Sequence, residues 1–325
     1  MTRYIARRVL LAAVVVLLVT VVTFVLLHLL PGGPARGALG VKATPEQITA
    51  FNAAQGLDRP LPVQYWRYLS RLLTGDLGRS YTLNSPVSTL LAERLPRTLL
   101  LTAGSTLLAV LVALPLGVWQ AVHRGSALDH LATACAFLLY ATPVFFLSLI
   151  LIIVFAQALP VFPAQAAQGD TLGELLAQPG SLVLPLLAGG AATLAAFSRY
   201  MRAATLDNLT EDYVRTARAR GTREREILWR HVWPNSLTSV VAMLGYYVPV
   251  IFGGALVVES MFNYPGIGLL FWSSARNADF PVLLGVVLVI GVATVAGTLL
   301  ADLAQLAIDP RVRVPARQAR AGATV

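Results

Sequence analysis

Four histidines, one cysteine and one lysine are the residues here best suited to chemistry, and their spacing rules out most of it. His28, His123, His130 and His231 are scattered without metal-ligand spacing, so no metal is expected. Cys135 is the single cysteine and lies inside an apolar run. That excludes an intrachain disulfide or a CxxC cluster and reads as a small core residue. Lys42 stands in GVKAT, without the Gly-Lys-Ser/Thr ending of a phosphate loop, so the chain is not expected to bind ATP in that way. Neither HExxH nor GxSxG occurs, and no catalytic residue is expected. What remains is charge. Ten of the twenty residues 211–230 are charged, in the stretch EDYVRTARARGTREREILWRHVWPNS between two apolar segments.

The elements around that stretch are set by composition. Only 13% of the 325 residues are charged and 56% are hydrophobic, with a mean hydropathy of +0.69. Soluble domains carry about 25% charged residues, so the fold class is an all-α membrane protein. The formal charge of +9 then reads as a topology signal and a leaflet-facing surface, not as a nucleic-acid footprint. Six apolar runs read as transmembrane helices: 9–30, 98–122, 131–159, 182–197, 237–258 and 282–308. The first is longer than a signal-peptide core of about 7–15 residues, so Arg3, Arg7 and Arg8 flank an uncleaved span. Prolines inside the runs (Pro115, Pro143, Pro185, Pro249) are tolerable where packed neighbours satisfy the freed backbone. Gly189-Gly190 and Gly253-Gly254 let helices approach closely. His28, Glu259 and Asp302 sit toward run ends, as interfacial or capping groups.

Arginine asymmetry orients the chain. With the N-terminus inside, segments 1–8, 123–130, 198–236 and 309–325 hold sixteen basic residues. The outer segments hold nine, eight of them in the loop 31–97, and loops longer than about 60 residues count little. Both termini and the charged insert are therefore expected in the cytoplasm. The expected organisation is a first span over 1–30, an extracytoplasmic loop with short helices over 31–97, and a five-helix core over 98–308. That core carries a cytoplasmic loop at 205–236, and a cytoplasmic tail at 309–325 follows. In the outer loop, TPEQITAFNAAQG predicts a helix with Thr44 as N-cap, Pro45 first, Gln47 as capping-box partner and Gly56 as stop. PVQYWRYLSRLLTG predicts a second, amphipathic helix, with Tyr65, Leu69 and Leu72 on one face, suited to the outer membrane interface.

The insert reads as two short helices. The first spans 206–220, Gly221 stops it in the left-handed conformation, and Thr222 caps a second that Pro234 ends. Val214, Ala217 and Gly221 share a small-residue face framed by Arg218 and Arg220. Ile227, Leu228, Trp229, Val232 and Trp233 make an apolar face, and Glu224 and Glu226 interleave with Arg223, Arg225 and Arg230. Two readings stand: a solvated amphipathic loop on anionic lipid, or a rigid helix–Gly–helix knob that docks in a groove of a cytoplasmic partner.

Here the sequence resembles a family. ARARG followed by HVWPN resembles the EAA loop of ATP-binding-cassette importer permeases, with Gly221, Ala217 and Pro234 at matching positions. Tyr213, Arg215–Gly221, Arg230, His231, Asn235 and Leu237 resemble the YxRTARAKG…RHxxxNxL form of its oligopeptide/dipeptide/nickel branch, which also carries Thr216, Arg218 and Arg220 in the loop. RYIARRVL…LLPGGPA, GLDRPLPVQYWRYL, GDLGRS, ERLPRTLLL and DPRVR resemble other stretches of that branch. VVESMFNYPGIG resembles its E-T-x-F-x-x-P-G-x-G, through Glu259, Phe262, Pro265, Gly266 and Gly268. The long loop after the first span resembles the B-type subunit of an oligopeptide permease.

The resemblance implies a type I importer permease (MetI-like) fold in the cytoplasmic (inner) membrane, with no cofactor in this chain. It implies a heterodimer with a second homologous permease, two cytoplasmic ATPase domains holding ATP and Mg, and an extracytoplasmic substrate-binding protein. It further implies that the insert is the ATPase-coupling loop, and that the 259–268 turn lies near the outer gate on the binding-protein side. Tyr140, Thr142, Tyr246 and Tyr247 are candidates to line a path between the two permeases. The implied cargo is peptide. A nickel or other small-solute importer shares the architecture, and an ion-coupled secondary transporter is the competing class. The near-absence of charge within the spans counts against the latter.

Overall fold

A computed structural model of the chain describes residues 2–29, 33–40, 42–169, 171–253 and 255–308. They form α1 (Thr2–His28), α2 (Gly33–Leu39), α3 (Pro45–Gln55), α4 (Leu61–Leu73), α5 (Val87–Val122), α6 (Ala127–Ala141) and α7 (Val144–Leu151), the last continued as a π-helix over Ile152–Ala158. Next come α8 (Leu172–Leu176), α9 (Gly180–Leu209), α10 (Asp212–Ala219) and α11 (Glu224–Ile227), the last continued as a π-helix over Leu228–Val232. The chain then runs through α12 (Trp233–Gly253), α13 (Leu256–Met261), α14 (Ile267–Arg276) and α15 (Phe280–Ile308). Among the described residues there is no strand, only an isolated bridge between Arg79 and Pro86. The expected all-α class is what the described residues adopt.

Four helices among the described residues are long and apolar enough to cross a membrane, within α1, α5, α9 and α15. A fifth span is complete if α6 and α7 are one broken crossing. The third run, read from sequence as a single span, is instead bent by 110° at its proline. Thr142 precedes Pro143 and takes an extended backbone, because the proline ring disfavours helix at the residue before it. The second span also differs. Its helix begins at Val87, so ERLPRT belongs to α5 and not to the loop. Asp302, Gly254 and the DPRVR stretch lie outside the described residues and side chains.

The spans pack through small residues, because lipid supplies no hydrophobic drive between helices and close van der Waals contact must. α5 and α9 run parallel and pack along much of their length. Gly190 of α9 lies so close to α5 that a Cβ would sit 2.9 Å from the Ser105 carbonyl oxygen. Lower down, a Cβ on Gly117 would sit 2.6 Å from the Ser198 carbonyl oxygen and 2.8 Å from Met201 Cβ. Backbone cannot step aside as a side-chain tip can. Gly117→Ala is therefore expected to cost about 1–3 kcal/mol by overpacking, read as a lower thermal midpoint in detergent. An unchanged midpoint would mean that the helices slide apart freely.

Cys135 is exposed, not in the core as read from sequence. The reason is general to spans. A lipid-facing side is as apolar as a packed one, so hydrophobicity does not separate them. The same face logic explains α1, where Leu10, Leu18, Val22 and Leu26 are exposed while Thr20, Phe24 and Leu27 are buried.

Candidate coupling, gate and path residues

The charged insert folds as a compact knob between α9 and α12. Its first helix starts later than the sequence suggests: residues 206–209 complete α9, the chain breaks at Thr210, and α10 begins at Asp212. Gly221 then takes φ +78°, the left-handed region that glycine enters at least cost, as expected. The next cap is Arg223, without a side-chain bond, and not Thr222.

Pro234 does not end the second helix. α11 passes through the π-helical turn 228–232 directly into α12, which contains Pro234 near its start. In that wider turn the Trp233 N–H donates to the Leu228 carbonyl, and proline's missing donor falls where a helix start needs none. The knob is thus joined rigidly to a span at its C-terminal side.

Of the small face only Gly221 is open to a partner. Val214 and Ala217 are buried against Ile227 and Val232 of the knob's own second helix. Small residues here let the two halves of the knob close on each other. The kink is stapled by Arg218, whose Nε and Nη2 donate to the two Glu224 carboxylate oxygens at 2.6 and 3.1 Å. That pair holds the Glu224 carboxyl below its usual range. Arg230 pairs with Glu226 at 3.2 Å, one of the local ion pairs expected from the sequence. The outward surface includes Tyr213, Arg215, Thr216, Arg218, Arg220 and Gly221, together with Asp212, Arg223, Arg225 and the half-exposed Trp229. Tyr213 Oη donates to Asn208 Oδ1 at 2.6 Å, and Asn235 Nδ2 donates to the His231 carbonyl at 2.7 Å, closing the knob at both ends.

A second polar lock holds the α9 segment that leads into the knob. Arg202 Nε and Nη2 donate to the two carboxylate oxygens of Asp129 at 3.0 and 2.8 Å. The Gly125 N–H donates to the same carboxylate, which is almost fully buried in the first turn of α6. The motif reading missed this pair. A local signal, Ser126-x-x-Asp129, marks only the helix start, where Ser126 caps α6 through the Asp129 N–H, and not the partner Arg202. Asp129→Ala strands a partly buried guanidinium and is expected to lower stability by about 3 kcal/mol. Asp129→Asn, which keeps one acceptor, should lose less, and thermal unfolding in detergent ranks the two.

At the opposite end of α5 and α9 lies the 259–268 turn. All five of its sequence-predicted residues are buried, Glu259 and Phe262 completely. Glu259 Oε1 accepts the Thr98 hydroxyl at 2.7 Å, and Oε2 accepts the Leu269 N–H at 3.0 Å. Thr98 Oγ1 in turn accepts the Ile267 N–H at 2.7 Å, and Tyr264 Oη donates to the Arg97 carbonyl at 2.7 Å. The turn is therefore a carboxylate-centred clasp from α13 and α14 onto α5. Gly266 and Gly268 have no room for a side chain, since a Cβ on either would strike Glu259 or the Leu256 backbone. Glu259 serves as a cap for α14, consistent with its expected capping role.

The path candidates separate. Tyr140 at the end of α6 is exposed, with the Arg199 guanidinium 4.6 Å from its ring centre. Tyr247 of α12 packs edge-on against Phe197 at 4.8 Å. Thr142 is half-buried and donates to the Leu138 carbonyl at 2.6 Å, while the Tyr246 side chain lies outside the described residues.

Residues 113–314 match the family model described as the binding-protein-dependent transport system inner membrane component. Residues 1–102 match the N-terminal model of the same kind of component. The chain belongs to this family. It is 38% identical over 321 residues to a protein of Brucella suis named as a peptide permease, covering 97% of this chain and all of the relative. The oligopeptide transport system permease protein AppB of Bacillus subtilis is 36% identical over 314 residues, 96% of this chain and 99% of AppB. The glutathione transport system permease protein GsiC of Pectobacterium atrosepticum is 37% identical over 313 residues, 96% of this chain and 99% of GsiC. As a member of this family the chain is a multi-pass inner-membrane transport component. The knob, the Asp129–Arg202 lock and the Glu259 clasp therefore belong to a transport component.

Proposed function

We propose that this chain is one permease of an ATP-driven importer and forms half of a path for peptides across the cytoplasmic membrane. The observation that carries the reading is the 211–232 knob. Val214, Ala217, Ile227 and Val232 are spent on its own core, its kink is stapled by Arg218 and Glu224, and its charged outer surface with Trp229 is left for a partner. Such a body transmits force to α9 and α12 without deforming. The names of the relatives, which refer to peptide, oligopeptide and glutathione permeases, support peptide cargo over nickel.

In this reading α1, α5, the α6–α7 pair, α9, α12 and α15 are six spans, with both termini and the knob in the cytoplasm. Two ATPase domains hold ATP and Mg and grip the knob. A second permease completes the path, and an extracytoplasmic binding protein delivers the cargo near the Glu259 clasp. Tyr140 faces the path together with Arg199, because a cation facing hydrocarbon is costly while one facing water or a partner helix is not. Nucleotide binding biases a two-state switch between inward-open and outward-open forms.

Docking is tested in a Cys135→Ser background with Arg220→Cys on the knob. A short thiol crosslinker should join the knob to the ATPase subunit, with a yield that changes between ATP and ADP. A knob that labels equally in membranes with and without the ATPase, and never crosslinks to it, contradicts the assignment.

A further inference from the structure

A cavity of about 590 Å³ opens at the end of the bundle opposite the knob, and the transport reading does not use it. It lies between the last turn of α1, helix α4, the 76–84 loop and the start of α15. One wall is aromatic: Phe24, Phe51, Tyr81 and Phe280. The other is basic. Arg67 and Arg71 are one turn apart on α4, and both line the cavity. Neither has a carboxylate within ion-pair distance among the described residues. Arg67 Nη1 rests against Gly56, where a Cβ would sit only 2.7 Å away, so the glycine leaves it a seat. Arg79, also on the rim, already donates to the Asn84 carbonyl, and Asp76, the carboxylate on the lining, accepts the Gly78 N–H. His28 is engaged at both ring nitrogens, with the Phe24 carbonyl and with Gln64.

We infer that this cavity binds a phosphate group, held by the Arg67 and Arg71 guanidiniums. Guanidinium forks match phosphate oxygens geometrically. The depth of the site favours a phospholipid headgroup as the source. His28 ends the apolar stretch of α1, and Val63, Trp66 and Leu73 project exposed from α4. Tryptophan in that setting marks the membrane–water interface, where headgroups lie. The aromatic wall would then take the glycerol and upper acyl carbons.

Native mass spectrometry of the full-length protein in mild detergent tests the site. It compares phosphatidylglycerol, a phosphate-free galactolipid and inorganic phosphate as probes. Wild type should retain phosphatidylglycerol over the galactolipid. Arg67→Ala with Arg71→Ala should weaken this retention by about a hundredfold, while Arg59→Ala, outside the lining, should not. Displacement of the lipid by millimolar inorganic phosphate would assign the site to free phosphate groups. Resistance to displacement would assign it to the headgroup. Retention that is equal for both lipids, or unchanged in the double variant while its thermal midpoint is normal, overturns the site.

Discussion

Gly221→Asp is expected to leave ATP hydrolysis running while uptake falls to about a tenth or less, a coupling loss of at least about 1.4 kcal/mol. Within the chain the substitution is mild. The backbone there has φ +78°, which aspartate tolerates better than most residues, and a Cβ meets nothing within 4 Å. The knob should therefore fold. The new carboxylate would stand on the outward surface beside Arg218 and Arg220, in space that the chain itself leaves empty. A loss of uptake is then expected only if a partner closes on this surface. Gly221→Ala probes the same space with one methyl and should lose less. Uptake and hydrolysis measured together in proteoliposomes decide it. Full uptake with normal coupling in the aspartate variant would remove the knob from the mechanism.

The largest stability effect is expected at the Glu259 clasp. Glu259→Ala deletes the acceptor for both the Thr98 hydroxyl and the Leu269 N–H in a fully buried site. Orphaned buried donors cost about 1–3 kcal/mol each, so a loss of about 3–5 kcal/mol is expected, enough to prevent recovery of folded protein. Gly266→Ala should fail similarly, because its Cβ collides with the Glu259 carboxylate. Thr98→Val is the gentler probe. It keeps the shape of the side chain, removes a donor to Glu259 and leaves the Ile267 N–H unpaired. Its midpoint in detergent should fall between wild type and the aggregation-prone variants. Wild-type stability in Glu259→Ala would show that the clasp is decorative.

Local chemistry in the sequence carried over well where the signal was complete within a few residues. Thr44, Pro45, Gln47 and Gly56 form the expected capping box and left-handed stop of α3. Gly221 is left-handed, and Tyr65, Leu69 and Leu72 lie on the inward side of α4. The failures share a cause, which is tertiary context. Pro234 is a helix breaker only if hydrogen bonding keeps its normal period, and the π-turn before it changes that period. Pro143 looked like the tolerable prolines of α5 and α9, yet it alone breaks its run. The small face of α10 looked like a docking surface because sequence does not say which neighbour fills a gap; Ile227 and Val232 do. The Asp129–Arg202 pair joins residues 73 positions apart, beyond the reach of any local pattern.

The central claim is that this chain couples ATP hydrolysis elsewhere to peptide passage. The most direct measurement is ATP hydrolysis by the assembled complex in lipid, with its binding protein present, under a mixed peptide pool or chelated nickel. Stimulation by peptides alone is the predicted result, and it should vanish in Gly221→Asp even though basal hydrolysis persists. Stimulation by nickel alone would keep the machine and change its cargo. Uptake that survives ATP depletion but collapses with the proton gradient would contradict the account outright.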